Sequence, residues 1–476
     1  MRRELTPHDA RSAPLAAAIH EPAQAATRTP SEDAFGSGDT SIWHNRDFLL
    51  LWLAQAISQT AQNAIWYGIV VLVQRMSHSS TQLSLAVLTL IIPSVVFGVL
   101  AGVYVDRWDK RTVLIATNLI RGGIAFSYAT FGLGWGLPLG VLFLINFLFS
   151  TVGQFFAPAE TSMIPTVVAR PRLLQANSLF HLTFTASQLV GLVVLGPLLA
   201  KLGGVDGLFV TMAAAIVLCG ALVWPLPSSR GEHDPAQPTS EEEAIRGVWH
   251  DVRDIWHFVF RDRIVALAMV QWTIGAILGL VVATLVPGFG ERLLHVRAED
   301  AVFVMAPAGI GMVAGTALLN RWGDRFEKHW LSNAGLFIVA ACLGLTGGLA
   351  YAVALLTSGN PPLIVLPTLG EVSVLVLPVM LLALIAGFGF VAIMVPAQTF
   401  LQERAPVELR GRVFAVQLML SNFASIVPLL LLGGLADVIG VDETLLLIGI
   451  LIATAGGIST RIAPGIAPWH HARSTN

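Results

Sequence analysis

The chain has 476 residues, 55% of them hydrophobic and only 12% charged, with a formal net charge of −2 and two cysteines. A charged fraction about half that of ordinary soluble domains leaves too little polar surface to cover the chain against water, so most of it is expected to face lipid. The same figures argue against a basic nucleic-acid-binding domain and exclude a disulfide framework.

In chain order, residues 1–42 are rich in Ala, Pro, Ser and Thr and lack the apolar core of a signal peptide, which predicts a disordered tail. Six apolar stretches of about the 20 residues that cross a bilayer follow, at 48–73, 82–105, 112–131, 138–158, 176–200 and 207–226. Residues 227–262 then turn polar. Within them Ile245, Val248, Trp249, Val252, Ile255, Trp256 and Val259 recur at three and four residues, the pattern of a helix lying along the membrane surface. Six further apolar stretches lie at 263–287, 301–320, 330–356, 373–397, 413–436 and 443–462, and residues 463–476 form a second tail. The expected fold is therefore an all-α integral membrane protein with twelve transmembrane helices. They divide into an N-terminal six-helix bundle over 43–226 and a C-terminal one over 263–462, joined by the linker 227–262.

The two halves repeat one another. "PAETSMIPTVVARPRLLQANSLFHLTFTASQLVGLVVLG" from Pro158 aligns without a gap on "PAQTFLQERAPVELRGRVFAVQLMLSNFASIVPLLLLGG" from Pro396. Gly98 and Gly102 followed by Asp106-Arg107 are echoed by Gly311 and Gly315 followed by Asn320-Arg321. Parallel halves of this kind build transporters that bind cargo between them near the midplane. A cytoplasmic N-terminus puts 23 of the 28 Lys and Arg on the cytoplasmic side, and an even number of spans returns the C-terminus there.

The stretch "GVYVDRWDKR" resembles the loop between helices 2 and 3 of the major facilitator superfamily, whose signature Gly102, Asp106, Arg107 and Arg111 match as they stand. The resemblance covers about residues 43 to 462. It implies that Asp106 and its basic neighbours latch the cytoplasmic ends of the halves, with the glycines letting helices approach. Asp324 and Arg325, in the matching loop of the second half, are counted with them. Three further stretches, "NRDFLLLWLAQAISQTAQNA", "IPTVVARPRLLQANSL" and "EAIRGVWHDVRDIWHFVFRDR", look like the macrolide-efflux and enterobactin-exporter branch. Gly191 with Gly196-Pro197 is similar to a shortened exporter-type motif of helix 5. The branch often carries an acid where this chain has Gln62 and another where it has Asn118, so the usual proton-binding carboxylate of helix 1 is missing.

Read from the residues, no Asp or Glu is expected deep in any span, Glu160 lying near a helix end. Arg121 lies about nine residues into its helix, close to mid-bilayer at about 1.5 Å per residue. An arginine there costs at least about 2.5 kcal/mol on insertion scales unless it faces a wet cavity or a partner. It is expected either to line a central cavity that suits an anionic, zwitterionic or neutral cargo, or to pair with an acid such as Glu160. Gln59, Gln62, Asn63 and Trp66 share one face of helix 1, and Gln188, Gln271 and Asn422 are further candidates for the cavity wall. His181 and Glu160 are candidate coupling groups.

Walker-type phosphate-binding, zinc-protease and nucleophile-elbow patterns are absent from the sequence, so neither ATP nor catalysis within this chain is expected, and no cofactor or metal is implied. The expected function is secondary active export of small amphipathic compounds, such as antibiotics or siderophores, by alternating access. The coupling ion is expected to be a proton, and the setting a prokaryotic inner membrane with both termini cytoplasmic. A lipid or metabolite mover of the same fold, or a membrane sensor or scaffold without transport, are the alternatives.

Overall fold

A helix begins where a side chain can satisfy its first free N–H groups. In the computed structural model, which describes residues 42–132, 138–228, 253, 262–297, 300–357, 362–366, 370–404 and 410–462, helix α1 (Arg46–Ser77) opens in this way. The Asn45 Oδ1 accepts from the Phe48 N–H at 3.0 Å, while its amide donates to the Val167 carbonyl at 2.7 Å and ties this end of α1 to a residue more than 100 positions away in the chain. His78, at φ 47° in the left-handed region, ends α1, and Ser79 immediately caps α2 (Ser80–Arg107) by accepting from the Gln82 N–H.

Helices α3 (Lys110–Gly132) and α4 (Leu139–Val167) follow. The stretches Leu173–Leu189, Val190–Leu195 and Gly196–Val223 then form one continuous helical length whose middle piece is π-helical. Gly204 breaks it with φ 73° and ψ 175°, a conformation closed to side-chain-bearing residues, so 173–203 is α5 and 205–223 is α6. The second set comprises α7 (Arg263–Arg292), α8 (Ala301–Trp322), α9 (Lys328–Leu356), α10 (Val376–Arg404), α11 (Arg410–Val438) and α12 (Val441–Ile462).

Among the described residues nine helices are long and apolar enough to cross a membrane by length and composition alone, one of them 49 residues long because it contains both α5 and α6. The two helices outside that set, α1 and α3, carry the polar residues Gln55, Ser58, Asn118 and Arg121. The chain is thus an all-helical integral membrane protein, and its helices run to twelve.

Two differences from the sequence reading follow from local chemistry. Helix α4 continues through Pro158 and Pro165 to Val167, so Glu160 lies within the helix and is buried. The outer connection near 357–372 contains an antiparallel hairpin, β1 (Leu363–Leu366) with β2 (Gly370–Ser373), which hydropathy alone did not announce. The amphipathic segment at 245–259 lies outside the described residues except for Arg253, as do the tails.

Packing is built from glycines at close crossings. A Cβ on Gly191 would lie 2.4 Å from the Thr60 carbonyl and 2.7 Å from the Asn63 Cβ, so α5 crosses α1 almost backbone to backbone. On Gly311 it would lie 1.9 Å from the Leu384 carbonyl, and on Gly387 2.0 Å from that of Ala308, which fixes α8 against α10.

Candidate functional site

The first six helices bury an unusual set of polar groups. Arg121 on α3 is 1% exposed. Its Nη2 donates to the Gln62 Oε1 on α1 at 2.6 Å and its Nη1 to the Ser58 hydroxyl at 3.4 Å. Its guanidinium lies over the rings of Phe149 and Phe156 of α4, 5.0 and 5.2 Å from their centroids. Two aromatic faces and two polar acceptors are what a cation needs in a low-dielectric interior.

Glu160 of α4 is 5% exposed and buried in the same bundle. No ion pair within 4 Å joins it to Arg121 among the described residues. Tyr128 Oη, the Arg121 Nε and both amide atoms of Asn146 are buried with hydrogen-bonding capacity unspent.

Helix 1 supplies the rest of the site. Gln62 is exposed although it binds a buried guanidinium, and Gln59, Asn63 and Trp66 beside it are half-buried. The Asn63 amide donates to the Gln59 carbonyl at 2.8 Å, and Trp66 packs against apolar side chains drawn mainly from the second six helices. Gln188 and His181, on α5, are exposed. Asn422 of α11 donates to the Ser94 hydroxyl of α2 at 3.0 Å, a polar link between the halves near mid-helix. Gln271 lies elsewhere. Its amide donates to Asn333 Oδ1 at 2.9 Å and to Ser459 Oγ at 3.0 Å, so it joins α7, α9 and α12 inside the second bundle.

The helix-5 motif residues have a steric meaning. Gly191 and Gly196 both face α1, the latter 2.8 Å, from its would-be Cβ, to the Tyr67 ring, and Pro197 follows the π-helical turn directly. Gly102 differs, since a Cβ there would meet nothing within 4 Å among the described residues, so it makes no close helix contact in this conformation. Arg107 and Arg325 are exposed, and the side chains of Asp106 and Asp324 lie outside the described residues. Arg111 donates to the Trp224 carbonyl and lies over the Trp224 ring, tying α3 to the end of α6.

The polar contacts described between the two sets of helices gather at the opposite end, beside the α1–α2 turn. Asp437 of α11 accepts from Ser79 Oγ at 2.6 Å, Ser80 N at 2.9 Å, Thr81 N at 2.9 Å and Thr81 Oγ1 at 2.7 Å. A carboxylate at the positive start of α2 is doubly favoured, by hydrogen bonds and by the helix dipole. Glu291 accepts from Gln74 at 2.8 Å, Arg292 donates to the His78 carbonyl at 2.6 Å, and Lys201 pairs with Asp300 at 2.6 Å. The sequence reading missed Asp437. The available signal was the Ser79-Ser80-Thr81 run, a helix start whose acceptor had to come from elsewhere.

A membrane-embedded, two-part helical bundle with a buried polar site and one end clasped has the architecture of a secondary transporter. The chain belongs to the Major Facilitator Superfamily, whose profile matches residues 51–428. It is 25% identical over 425 residues to the multidrug efflux pump Tap of Mycolicibacterium fortuitum, covering 86% of this chain and 94% of that one. To macrolide efflux protein A of Streptococcus pyogenes it is 23% identical over 413 residues, covering 85% and 93%. Among solved structures, a bacterial homologue of the human lysosomal transporter Spinster, inward-facing and occupied, superposes with a TM-score of 0.64 at 13% identity, covering 89% of this chain and 98% of that one. The nucleoside transporter NupG gives 0.65 at 12% identity, covering 88% and 100%. At those identities the likeness concerns the fold.

Proposed function

We propose that the chain is a secondary exporter that carries small amphipathic compounds, of the antibiotic or siderophore kind, out of the cell by alternating access and proton antiport. The observation that carries the reading is the Arg121 site: a fixed positive charge inside the first bundle, joined to the exposed Gln62. A site with that charge selects anionic, zwitterionic or neutral cargo over lipophilic cations. The names of the two efflux relatives support the export direction.

The lysine and arginine bias supports cytoplasmic termini in a prokaryotic inner membrane. In that orientation the clasped end faces outward, and the conformation is the one open to the cytoplasm. The open surroundings of Gly102 agree with this, and the loop residues Asp106, Arg107 and Arg111, with Asp324 and Arg325, then latch the alternate state. Helix 1 offers no acid beyond Asp47 in its first turn, far from Arg121 in sequence register, so the buried Glu160 is the proton carrier, with exposed His181 as the second candidate.

The test is accumulation of labelled anionic, neutral and cationic amphiphiles in efflux-deficient cells, with and without the protein and a protonophore. Lowered accumulation of the anionic or neutral compounds, reversed by the protonophore, is expected. Unchanged accumulation of every compound at verified surface expression removes the export reading and turns attention to lipids, metabolites or a role without transport.

A further inference from the structure

The second bundle holds a partly open cavity of about 280 Å³, walled by α7, α8, α9 and α10 with Leu445 of α12. Its wall is carbon and methionine sulfur except for the Cys342 thiol and the Thr346 hydroxyl, and that hydroxyl is already donated to the Cys342 carbonyl. A polar ligand would find no partner there, and an apolar void of this kind stays dry.

The cavity is not the result of loose packing. Its walls α8 and α10 already touch backbone to backbone at Gly311 and Gly387, so they cannot move closer to fill it. The first bundle is filled at its interior, where Tyr128 stacks on Phe209 with ring centroids 5.0 Å apart and meets Phe149 edge-on. The volume of the cavity is just under the roughly 300 Å³ at which whole-ligand pockets begin, so it suits one apolar portion of a larger molecule. Met305 and Met312 in its wall adapt to different shapes.

We infer that this cavity binds the apolar portion, a ring system or short chain, of the transported amphiphile, while the charged portion remains outside it. Calling the occupant cargo rests on the export reading; the apolar site itself does not. The site also reaches the clasp. Phe289 lines the cavity, and two and three residues further along the same helix Glu291 and Arg292 hold the α1–α2 turn. An occupant therefore bears on the helix whose end must move when the halves rock.

The two cysteines provide an internal comparison, since Cys342 lines the cavity and Cys219 is buried in the first bundle. The full-length protein in nanodiscs is photolysed with the uncharged probe 3-phenyl-3-(trifluoromethyl)diazirine, and the peptides bearing each cysteine are compared by mass spectrometry. Preferential labelling of the Cys342 peptide is expected. Excess 8-anilinonaphthalene-1-sulfonate, an anionic amphiphile, is expected to reduce it by about tenfold at a concentration about nine times its Kd. Ala383→Phe and Val282→Phe, which each fill the cavity, are expected to abolish it, whereas Leu202→Phe, outside the cavity, leaves it intact.

Equal labelling of the two cysteine peptides, or labelling unaffected by both filling variants in folded protein, overturns the site. Protection by dioctanoylphosphatidylglycerol and not by the sulfonate assigns the cavity to a lipid chain and overturns the cargo assignment. Protected, cavity-specific labelling in a protein that exports nothing leaves the binding site standing and retires the export reading alone.

Discussion

Arg121 of α3 and Gln62 of α1 share one hydrogen bond of 2.6 Å, of which the donor is buried and the acceptor is exposed. The guanidinium is thereby held inside the bundle while its partner faces the more open side. The glutamine stands where the resembling exporter branch often has an acid, and in the proposed reading the charge of the arginine is left to attract cargo.

Changing Gln62 to Glu would place a carboxylate against that guanidinium and neutralise it. Export of anionic amphiphiles by Gln62→Glu is expected to fall by about tenfold, the scale of about 1.4 kcal/mol of lost attraction. Neutral amphiphiles serve as the control, and an equal fall for both would argue against charge selection.

Arg121→Ala should remove anion export and also loosen the first bundle, because Phe149 and Phe156 lose the cation between them. Arg121→Lys should restore the fold better than the flux, since an ammonium cannot reproduce the planar guanidinium's simultaneous stacking and bonding to Gln62 and Ser58. Thermal unfolding in detergent, read beside cellular export, separates the two effects.

Asp437→Ala removes the acceptor of four bonds from the start of α2. A capping interaction is worth about 0.5–2 kcal/mol, so the population of the conformation clasped at this end should drop several-fold. Distance distributions between spin labels on the α1–α2 and α11–α12 turns would show the longer component growing. Unchanged distributions would mean that the remaining contacts, Glu291 with Gln74, Arg292 with His78 and Lys201 with Asp300, keep this end shut without Asp437.

Gly191→Ala introduces a methyl group 2.4 Å from the Thr60 carbonyl. Overpacking of this kind costs about 1–3 kcal/mol, so the variant should melt earlier than the parent in the same detergent. Gly102→Ala, with open space beside it, should leave the melting temperature of this conformation nearly unchanged.

Gln271→Leu breaks the link to Asn333 and Ser459. The expected loss is about 0.6 kcal/mol, the average for interhelical hydrogen bonds in a membrane, with cargo preference retained. A change in preference with normal stability would return Gln271 to the cargo site.

Length and hydropathy by themselves determined that this is a twelve-helix membrane protein, because a run of about 20 apolar residues has few other places to go. They also singled out Arg121, since a mid-span arginine is too costly to be incidental. What they left open is where each helix face points, which depends on rotation and on contacts between residues far apart in the chain. Gln62 and Gln271 look alike in sequence, yet one binds the buried arginine from an exposed position and the other knots three helices together. Glu160 looked terminal because its apolar stretch was read to end at residue 158, but a membrane helix surrounded by neighbours tolerates Pro158 and Pro165 and carries the acid inward. The partnership of Asp437 with the start of α2 spans more than 350 residues, and the cavity beside Cys342 is walled by four helices from across the second half, two of them in backbone contact at glycines. Those are properties of packing, which hydropathy sums along one segment cannot encode.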